Sequence, residues 1–407
     1  MKPLVVISSY PPRPCGIATF VEEQLEFVRK LLKGRQIHII SHTDGEGENV
    51  HPIIDLSRFD WYEPVVKLVK ELDPYVVHIQ HEYGLYRSVS EMGVDERNEG
   101  FLRMLDMLQG YPIVVEPHTV HGRLRESEEW FLRQMLSKTT VCILKCAYQK
   151  WRLEWQWQGD KDARRLLRRI TIVQHGARSD RRWSDEEVEG FKGEIGLPQL
   201  RGKHVVGIVG WIQPNKRWEL VLETWKDIHA EITYRTGQQW FLLCAGDMRD
   251  PDHLSYYRRI VEMIRELERE GIAIYYKFIP RGLIYYKVMA ICDFVLLPTV
   301  DETQSGTLAR IIALNKPFIT TAPLEGLTAQ AVESEGGLMF TDRRTFVRRV
   351  IRLACDESLR RMLGDNLRRY LEEEVSWEVC ARKYVDIYET ASRAVREGVE
   401  VEYPPAL

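Results

Sequence analysis

The sequence predicts an α/β protein built from two doubly wound domains, each with a parallel sheet covered by helices on both faces. Short runs rich in Val, Ile and Leu alternate along the chain with longer stretches in which apolar residues recur at helical spacing. The length of 407 residues exceeds what a single hydrophobic core usually supports. A polar stretch that ends at Gly196 and Pro198 separates two sets of such runs, which places the domain boundary there.

The first domain is predicted to span residues 1–185. Its helices are represented by Phe20–Leu32, where apolar side chains recur every three or four positions. Its predicted strands are Leu4–Ile7, Ile37–Ile40, Val76–Ile79, Ile113–Val115, Val141–Leu144 and Ile170–Val173.

The second domain is predicted to span residues 200–380, with helices such as Trp218–His229 and Leu254–Glu270. A last helix is predicted at Ala381–Arg396, after a candidate N-cap at Ser376. Its pattern fits an end to the second domain and equally a return to the first. The predicted strands of the second domain are His204–Val209, Trp240–Ala245, Ala273–Phe278, Phe294–Leu297, Pro317–Thr320 and Gly337–Phe340.

The composition limits the classes of protein to which the chain can belong. A net charge of -3 lacks the basic surplus that nucleic-acid binding uses, so we expect no nucleic-acid partner. The sequence contains no run of about 18 apolar residues, the length that would indicate a membrane span. The seven cysteines form no CxxC pair and no zinc-type cluster with histidine. We therefore expect a cytoplasmic protein without a metal site.

Loops that follow the strands of the first domain supply candidate site residues, because doubly wound sheets bind ligands in the cleft at the carboxyl ends of their strands. Gly16 lies at the predicted start of the first helix, where N–H groups could meet an anion or a sugar; a plain strand-to-helix turn explains it equally well. His81 and His118 follow two further strands, and two histidines at one sheet edge favour a substrate contact for at least one of them. His78 alternates with apolar neighbours and is expected in the core.

A cationic loop follows the first strand of the second domain. The strand ends at Gly210, and the loop brings Lys216 and Arg217 close to the start of the next predicted helix. Cations beside a helix N-terminus suit a pyrophosphate group. On their own, two charges on a solvated turn would be the simpler interpretation.

A loop rich in acid and hydroxyl groups follows the predicted strand Phe294–Leu297. Its carboxylate could accept hydrogen bonds from sugar hydroxyls, and a predicted helix start just beyond would turn N–H groups towards a phosphate. An ordinary N-cap also explains the serine there, but the carboxylate beside a phosphate-binding helix start favours a donor-sugar site. The candidate residues are Glu302, Gln304, Ser305, Gly306 and Thr307.

Taken in order, these segments resemble the retaining glycosyltransferases of family 4, the group 1 enzymes with the GT-B fold. The likeness covers nearly the whole chain; each motif is moderately specific, and their shared order is hard to obtain by chance. The segments that carry it are Ser9–Thr19, His81-Glu82, Pro117-His118-Thr119, Val173-Gln174-His175-Gly176-Ala177, Gly210 to Lys216, Ala245-Gly246-Asp247, Pro298–Arg310 and Ser376-Trp377-Glu378.

The resemblance implies two doubly wound domains facing each other across a cleft, and a retaining, metal-independent hexosyltransferase that needs no cofactor. In such enzymes the second domain binds a nucleotide-diphosphate sugar, here GDP- or UDP-linked. The first binds the acceptor, a carbohydrate or a lipid-linked molecule, and the last helix crosses back to it. A hexose, with mannose as one candidate, would pass to an acceptor hydroxyl.

The resemblance also implies roles for single residues. Lys216 and the amides of residues 305–307 would neutralise the leaving diphosphate, which Gly16 would approach from the first domain. Glu302 would hold the transferred sugar. His81 or His118 would bind near the C6 hydroxyl of that sugar.

Two positions depart from the family pattern. Trp211 occupies the place of an arginine, and Arg310 stands where a glutamate would bind the ribose diol. A guanidinium cannot accept hydrogen bonds from that diol, although it could meet a phosphate. The departures support a second hypothesis, a non-catalytic GT-B relative that binds a sugar or nucleotide or partners another transferase.

An aromatic and basic segment, residues 150–157, fits two further interpretations. Its tryptophans, Trp151 and Trp155, suit packing beneath a loop. With the arginines at 164, 165, 168 and 169, the same segment suits peripheral contact with the inner face of a membrane, which would admit a lipid-linked acceptor.

Overall fold

The computed structural model describes residues 1–90, 93–300 and 304–406. It divides the chain into two compact units. The first comprises Met1–Gly176 together with Trp377–Leu407, and the second comprises Ala177–Ser376.

A parallel sheet of seven strands forms the centre of the first unit. The strands of this unit are β1 (Leu4–Ile7), β2 (Ile37–His42), β3 (Val50–Ile54), β4 (Val76–His81), β5 (Val89–Ser90), β6 (Gly93–Val94), β7 (Ile113–Pro117), β8 (Val141–Leu144) and β9 (Ile170–Ile172). The order in the sheet is β3-β2-β1-β4-β7-β8-β9, and β5 and β6 form a separate antiparallel pair. The chain runs from β1 to one edge and then resumes at β4 towards the other. The topological switch point therefore lies between β1 and β4.

A second parallel sheet, of six strands, forms the centre of the second unit. Its strands are β10 (His204–Val209), β11 (Trp240–Ala245), β12 (Ala273–Tyr276), β13 (Phe294–Leu297), β14 (Phe318–Thr321) and β15 (Gly337–Phe340). Their order is β12-β11-β10-β13-β14-β15, so this sheet has its switch point between β10 and β13.

Helices cover both sheets. They are α1 (Gly16–Leu31), α2 (Tyr62–Leu72), α3 (Tyr83–Tyr86), α4 (Glu99–Met107), α5 (Glu126–Ser137), α6 (Ala147–Gln156), α7 (Lys161–Leu167), α8 (Asp185–Glu194), α9 (Trp218–Thr236), α10 (Leu254–Arg269), α11 (Gly282–Ala290), α12 (Gly306–Ala313), α13 (Glu325–Ser334), α14 (Arg343–Cys355), α15 (Glu357–Tyr370) and α16 (Trp377–Glu397). Short 3-10 turns lie at Pro198–Leu200, Pro214–Lys216 and Pro251–His253. None of the helices in the described ranges is both long and apolar enough to cross a membrane.

The strands are apolar at consecutive positions because both faces of each sheet are buried. In β1, Val5 and Ile7 belong to the core on one face, and Leu4 and Val6 to the core on the other. The predicted strands are all present, with ends that differ by at most two residues. The sequence did not predict β3, an edge strand with His51 and Pro52 whose residues are mostly only half-buried.

The last helix, α16, packs within the first unit. Its buried residues recur at three- and four-residue spacing and include Trp377, Tyr384 and Tyr388. They join the same core cluster as Phe20 and Val28 of α1. The helix begins one turn before the predicted start at Ala381, because Trp377 is already part of that core.

Candidate functional site

The switch point of the second sheet is shaped by two glycines. Gly210 follows β10 with a φ of +142°, which side chains rarely adopt, and its N–H donates to the Ala245 carbonyl at 2.9 Å. A β-carbon on Gly246 would lie 1.8 Å from the Gly210 carbonyl oxygen. Gly246 therefore has no room for a side chain where the ends of β10 and β11 approach each other, and Gly210 is required by its backbone conformation.

Thr307, in the first turn of α12, lies at the same switch point. Its Oγ1 is 2.7 Å from the hydroxyl oxygen of Tyr285 in α11. A β-carbon on Gly210 would lie 3.3 Å from the Tyr285 hydroxyl and 3.9 Å from Thr307 Oγ1. The structure thus brings together Gly210 and Thr307, two of the predicted site residues. It adds Tyr285, which no sequence pattern indicates, because α11 is almost wholly apolar and predicts only core packing.

The turn that carries Lys216 is hydrogen-bonded to the segment that follows β13. The Asn215 carbonyl accepts hydrogen bonds from Val300 N at 2.8 Å and from Thr299 Oγ1 at 3.0 Å. Arg217 follows in the left-handed conformation, with a φ of +48°. The cationic turn and the acid- and hydroxyl-rich loop are therefore neighbours, as expected for segments on either side of a switch point. Glu302 lies outside the described residues.

The start of α12 has the features of a capped helix N-terminus. Ser305 Oγ accepts from Leu308 N at 3.3 Å, which is an ordinary N-cap, and Gly306 is the first helical residue. Gln304 precedes the cap and is half-buried. The cap satisfies one first-turn N–H group, and the positive end of the helix dipole remains at Gly306 and Thr307.

Arg310 folds back along the first turn of α12. Its Nη1 donates to the Gly306 carbonyl at 2.8 Å, and its guanidinium lies 5.2 Å and 5.5 Å from the ring centroids of Tyr285 and Tyr286. It therefore adds positive charge to the helix start that carries Thr307. Trp211, the other departure from the family pattern, accepts a hydrogen bond at its carbonyl from Trp218 Nε1 at 3.1 Å.

The first unit places Gly16 at the start of α1. Its N-cap residue, Cys15, makes no side-chain cap, and a β-carbon on Gly16 would have no atom within 4 Å. The space beside this glycine is open, so its small size is not required by packing within the described residues. This opening is at the carboxyl end of β1, beside the switch point of the first sheet.

His81 is a buried ring at the end of β4. It is 1% exposed, its Nε2 lies 3.2 Å from Asn98 Oδ1, and it packs against Tyr86, Phe101 and Phe131. Burial lowers the pKa of His81 to about 3, so the ring is neutral at physiological pH. Such a ring helps to form the wall of the sheet edge and is not placed to meet a ligand directly.

His118 follows β7 and is only half-buried. Its backbone N–H donates to the His81 carbonyl at 2.8 Å, its ring meets Phe20 edge-on at 5.1 Å, and its Nε2 lies 2.7 Å from Gln80 Oε1. Burial and the nearby Lys145 ammonium lower the pKa of His118 to about 3. Of the two histidines proposed for the site, His118 is the more accessible.

A buried polar network, here called the Glu116 network, lies beneath His118. The Glu116 carboxylate pairs with the Lys145 ammonium and accepts hydrogen bonds from neighbouring side chains. Burial alone would raise the pKa of Glu116, but the Lys145 charge and the His78 hydrogen bond outweigh it and hold that pKa well below its ordinary value. The members of the network are Gln24, His78, Gln80, Glu116, Lys145 and Tyr384. The Glu116 carboxylate lies 3.4 Å from Gln24, 3.0 Å from His78, 2.7 Å from Gln80 and 2.5 Å from Tyr384. His78, expected in the core, is 0% exposed.

The aromatic and basic segment around α6 is partly exposed. Trp155 is 54% exposed and Tyr148 is 40% exposed, while Lys150 is buried and donates to the Ile170 carbonyl at 2.8 Å. Three of the arginines behind it form ion pairs with the C-terminal tail: Arg165 and Arg169 with Glu400, and Arg168 with Glu402. Packing beneath a loop does not account for Trp155, because its side chain is mostly exposed. Contact of this segment with a membrane stays a prediction.

Metal ligands do not cluster in the part of the chain that the structure describes: no group of three or more His, Cys, Asp or Glu side chains there could hold an ion. The second unit thus carries candidate cations, hydroxyl groups, two glycines and a helix N-terminus at its own sheet edge. The first unit separately carries neutral histidines at the edge of its sheet.

Two α/β units with parallel, doubly wound sheets and candidate residues at both switch points define the GT-B class. Solved structures of this class match over nearly the full chain. A glycosyltransferase from Rickettsia africae is 12% identical with a TM-score of 0.69, covering 96% of this chain and 98% of that one. Anabaena Alr3699/HepE, solved in complex with UDP-glucose, is 12% identical with a TM-score of 0.68, covering 97% and 99%. The predicted fold class is confirmed.

The sequence of the second unit resembles a known family. Residues 203–356 match the family model described as "Glycosyl transferases group 1". A glycogen synthase from Rhodopirellula baltica is 27% identical over 126 residues, which are 30% of this chain and 22% of that relative's length. The second unit is therefore similar to group 1 glycosyltransferases, and the predicted family resemblance is confirmed at that level.

Proposed function

We propose that the protein transfers a hexose from a nucleotide-diphosphate sugar to an acceptor hydroxyl, with retention of configuration and without a metal ion. The observation that carries this proposal is the convergence at one switch point of the Lys216 turn, Gly210 and the start of α12. Cations beside a helix N-terminus and close glycine backbone form the chemistry that recognises a diphosphate.

The same groups suit the chemical step. The bond between the sugar's anomeric carbon and the diphosphate oxygen breaks, and that oxygen gains negative charge. Lys216 and the first-turn amides of α12 would stabilise this charge, with Arg310 beside them. The acceptor oxygen forms the new glycosidic bond on the face that the diphosphate leaves, and its proton passes to the departing phosphate.

The second unit is proposed to bind the donor and the first unit the acceptor. His118, neutral at physiological pH, would contact a sugar hydroxyl by hydrogen bonding. His81 would support that edge from within the core, and Gly16 would leave room for the diphosphate. Glu302 is proposed to hold the transferred sugar, on the strength of the family resemblance.

The donor nucleotide is proposed to be UDP or GDP. Anabaena HepE was solved with UDP and with UDP-glucose, which supports testing uridine nucleotides first. The acceptor is proposed to be a carbohydrate or a lipid-linked molecule, and mannose remains one candidate for the hexose.

A second candidate function is a non-catalytic relative that binds a nucleotide or a sugar. Arg310 favours it, because a guanidinium cannot accept hydrogen bonds from a ribose diol. The two candidates differ in one outcome. The enzyme releases free nucleoside diphosphate from a nucleotide sugar in the presence of an acceptor, and the binding protein does not.

Thermal unfolding with UDP, GDP, ADP and their sugars tests the binding half of the proposal. A ligand at about 100 times its Kd stabilises a protein by about 2.7 kcal/mol, so a cognate nucleotide raises Tm by several degrees. Lys216→Ala should abolish most of that shift. No shift with any of these nucleotides would overturn the proposal.

Lys203→Ala is the matched control. Lys203 precedes β10 at the opposite end of that strand, where its ammonium donates to Gln239 Oε1 at 2.7 Å. Its removal deletes the same charge from the same domain and should leave the nucleotide shift intact. An equal loss in both variants would show a general charge effect rather than a diphosphate contact.

A further inference from the structure

His118 is connected to the buried Glu116–Lys145 pair through a single side chain. Gln80 Oε1 lies 2.7 Å from His118 Nε2, and Gln80 Nε2 lies 2.7 Å from Glu116 Oε2. Gln80 itself is 0% exposed. The amide of Gln80 therefore has one end on the carboxylate and the other on the histidine.

The charge of Glu116 decides which way this amide points. An ionised carboxylate can only accept hydrogen bonds, so the NH₂ group of Gln80 must face Glu116. The carbonyl oxygen of Gln80 then faces His118 and also can only accept. The Nε2 atom of His118 must therefore carry the proton, and in the neutral ring Nδ1 is the acceptor.

The Lys145 ammonium keeps Glu116 ionised. It pairs with Oε1 of the carboxylate, while Tyr384 donates to that same oxygen at 2.5 Å. If Glu116 were protonated it could donate to the Gln80 oxygen, the amide could turn over, and its NH₂ group would then face His118. The ion pair thus selects one of two hydrogen-bond directions along the path.

We propose that Lys145, Glu116 and Gln80 are positioning residues that fix His118 in the tautomer with its proton on Nε2, so that a group that hydrogen-bonds to Nδ1, such as a hydroxyl of the bound sugar, must be the donor. The ligand in this inference rests on the proposed function; the tautomer does not. The sugar hydroxyl must then act as donor, which favours a position with a free hydroxyl over one that is methylated or deoxy.

Packing alone does not explain such a network. Buried ion pairs are often no more stabilising than apolar side chains of the same size, so the first unit could be built without one. The charged or titratable groups that act on His118 are Glu116 of β7, Lys145 after β8, His175 after β9 and His81 of β4. The ordered carboxylate–amide–imidazole path gives the buried charges a role in setting the tautomer.

The test is ¹⁵N NMR of the full chain with labelled histidine, in which the two ring nitrogens of a neutral imidazole have well-separated shifts that identify the protonated one. Comparison with His118→Asn assigns its signals among the eleven histidines. The expected wild-type result is a neutral ring with the proton on Nε2 at pH 7. A proton on Nδ1, an equal mixture of tautomers, or a charged ring would overturn the proposal.

Variants separate positioning from folding. Lys145→Met and Gln80→Leu should each shift His118 towards a mixture of tautomers, whereas Tyr384→Phe, which removes another Glu116 hydrogen bond without touching Gln80, should not. If Lys145→Met does not fold, Gln80→Leu still decides, because it keeps the ion pair. An unchanged tautomer in folded Gln80→Leu would overturn the proposed path.

Turnover of UDP-glucose or GDP-mannose provides the second readout. Gln80→Leu should lower kcat/KM by about tenfold, the change expected for one hydrogen bond of ordinary strength, and Tyr384→Phe should leave it close to wild type. If no nucleotide sugar turns over in wild type, the transferase proposal fails. The NMR result on the His118 tautomer does not depend on whether a nucleotide sugar is turned over.

Discussion

The phenol of Tyr384 donates a hydrogen bond of 2.5 Å to the Glu116 carboxylate, across 268 positions of sequence. Burial and the Glu116 charge raise the pKa of Tyr384 well above its ordinary value, so the phenol remains a donor. Tyr388, one turn later, lies 2.8 Å from His78 Nδ1. The last helix is therefore joined to the centre of the first unit by polar contacts as well as by its apolar stripe.

Tyr384→Phe should destabilise the protein by about 1–3 kcal/mol, because a buried, charged acceptor loses one donor while the ring still fills its place. Urea unfolding measures the loss. Tyr148→Phe is the control: the Tyr148 side chain is 40% exposed, and its substitution should change stability by no more than about 0.5 kcal/mol. Equal effects in the two variants would contradict a special role for the Tyr384 hydroxyl.

Lys145→Met should cost about 3–5 kcal/mol at pH 7, because it leaves the Glu116 charge buried without its cation. The contribution of Glu116 to the pH dependence of stability should reverse in sign. In wild type the pKa of Glu116 is depressed, so its contribution is fully present above about pH 4.3 and is lost as the pH falls further. In the variant the Lys145 charge is gone, so burial should outweigh the remaining hydrogen bonds to Glu116 and raise that pKa. Folding then takes up a proton at Glu116, and the contribution of Glu116 to stability increases as the pH falls.

Urea unfolding of the variant at several values between about pH 7 and pH 5 checks this reversal. Glu116→Gln with Lys145→Met serves as the control. Burial lowers the pKa of His81 and of His118 to about 3, which contributes the same pH dependence to both variants, so the difference in stability between them isolates Glu116. A difference in stability between the single and the double variant that does not change with pH would contradict the assignment of the buried charge to Glu116.

The fold could be predicted from sequence largely because parallel strands buried on both faces are continuous apolar runs. Leu4–Ile7 and Phe294–Leu297 are seen in this way without any tertiary information. The edge strand β3 could not be predicted from the sequence, because its residues are partly exposed and include Pro52. The amphipathic stripe of α16 shows that one face of the helix is covered but not which unit covers it. The family resemblance predicts the first unit, and α16 packs there.

The sequence predicts only those candidate site residues that directly follow a strand. Lys216 and Thr307 come after β10 and β13, so topology brings them to one switch point. Tyr285 lies in an apolar helix, and its contact with Thr307 depends on packing that no local pattern records. The orientation of Gln80 is likewise set by a charge pair that involves Lys145, 65 positions further along the chain by residue number.

Gly246→Ala should destabilise the second unit by at least about 2 kcal/mol, because the new β-carbon would lie 1.8 Å from the Gly210 carbonyl oxygen and the backbone must move. The nucleotide-induced rise in Tm should fall with it, since the displaced loop leads to Lys216. Gly190→Ala, in the exposed face of α8, is the control: its β-carbon meets no atom within 4 Å. That substitution should stabilise by about 0.5–1 kcal/mol and leave the nucleotide shift unchanged.

Arg310→Glu should create discrimination between UDP and 2′-deoxy-UDP. The wild-type guanidinium lies against Tyr285 and Tyr286 and cannot accept hydrogen bonds from a ribose diol, so the two nucleotides should bind within about twofold of each other. A carboxylate at this position can accept them, and the variant should prefer UDP by about tenfold, measured by isothermal titration calorimetry. Arg217→Glu makes the same charge change on the neighbouring turn and should weaken both nucleotides equally. Equal affinities in Arg310→Glu would show that position 310 does not face the ribose, and the departure from the family pattern would then have no bearing on donor recognition.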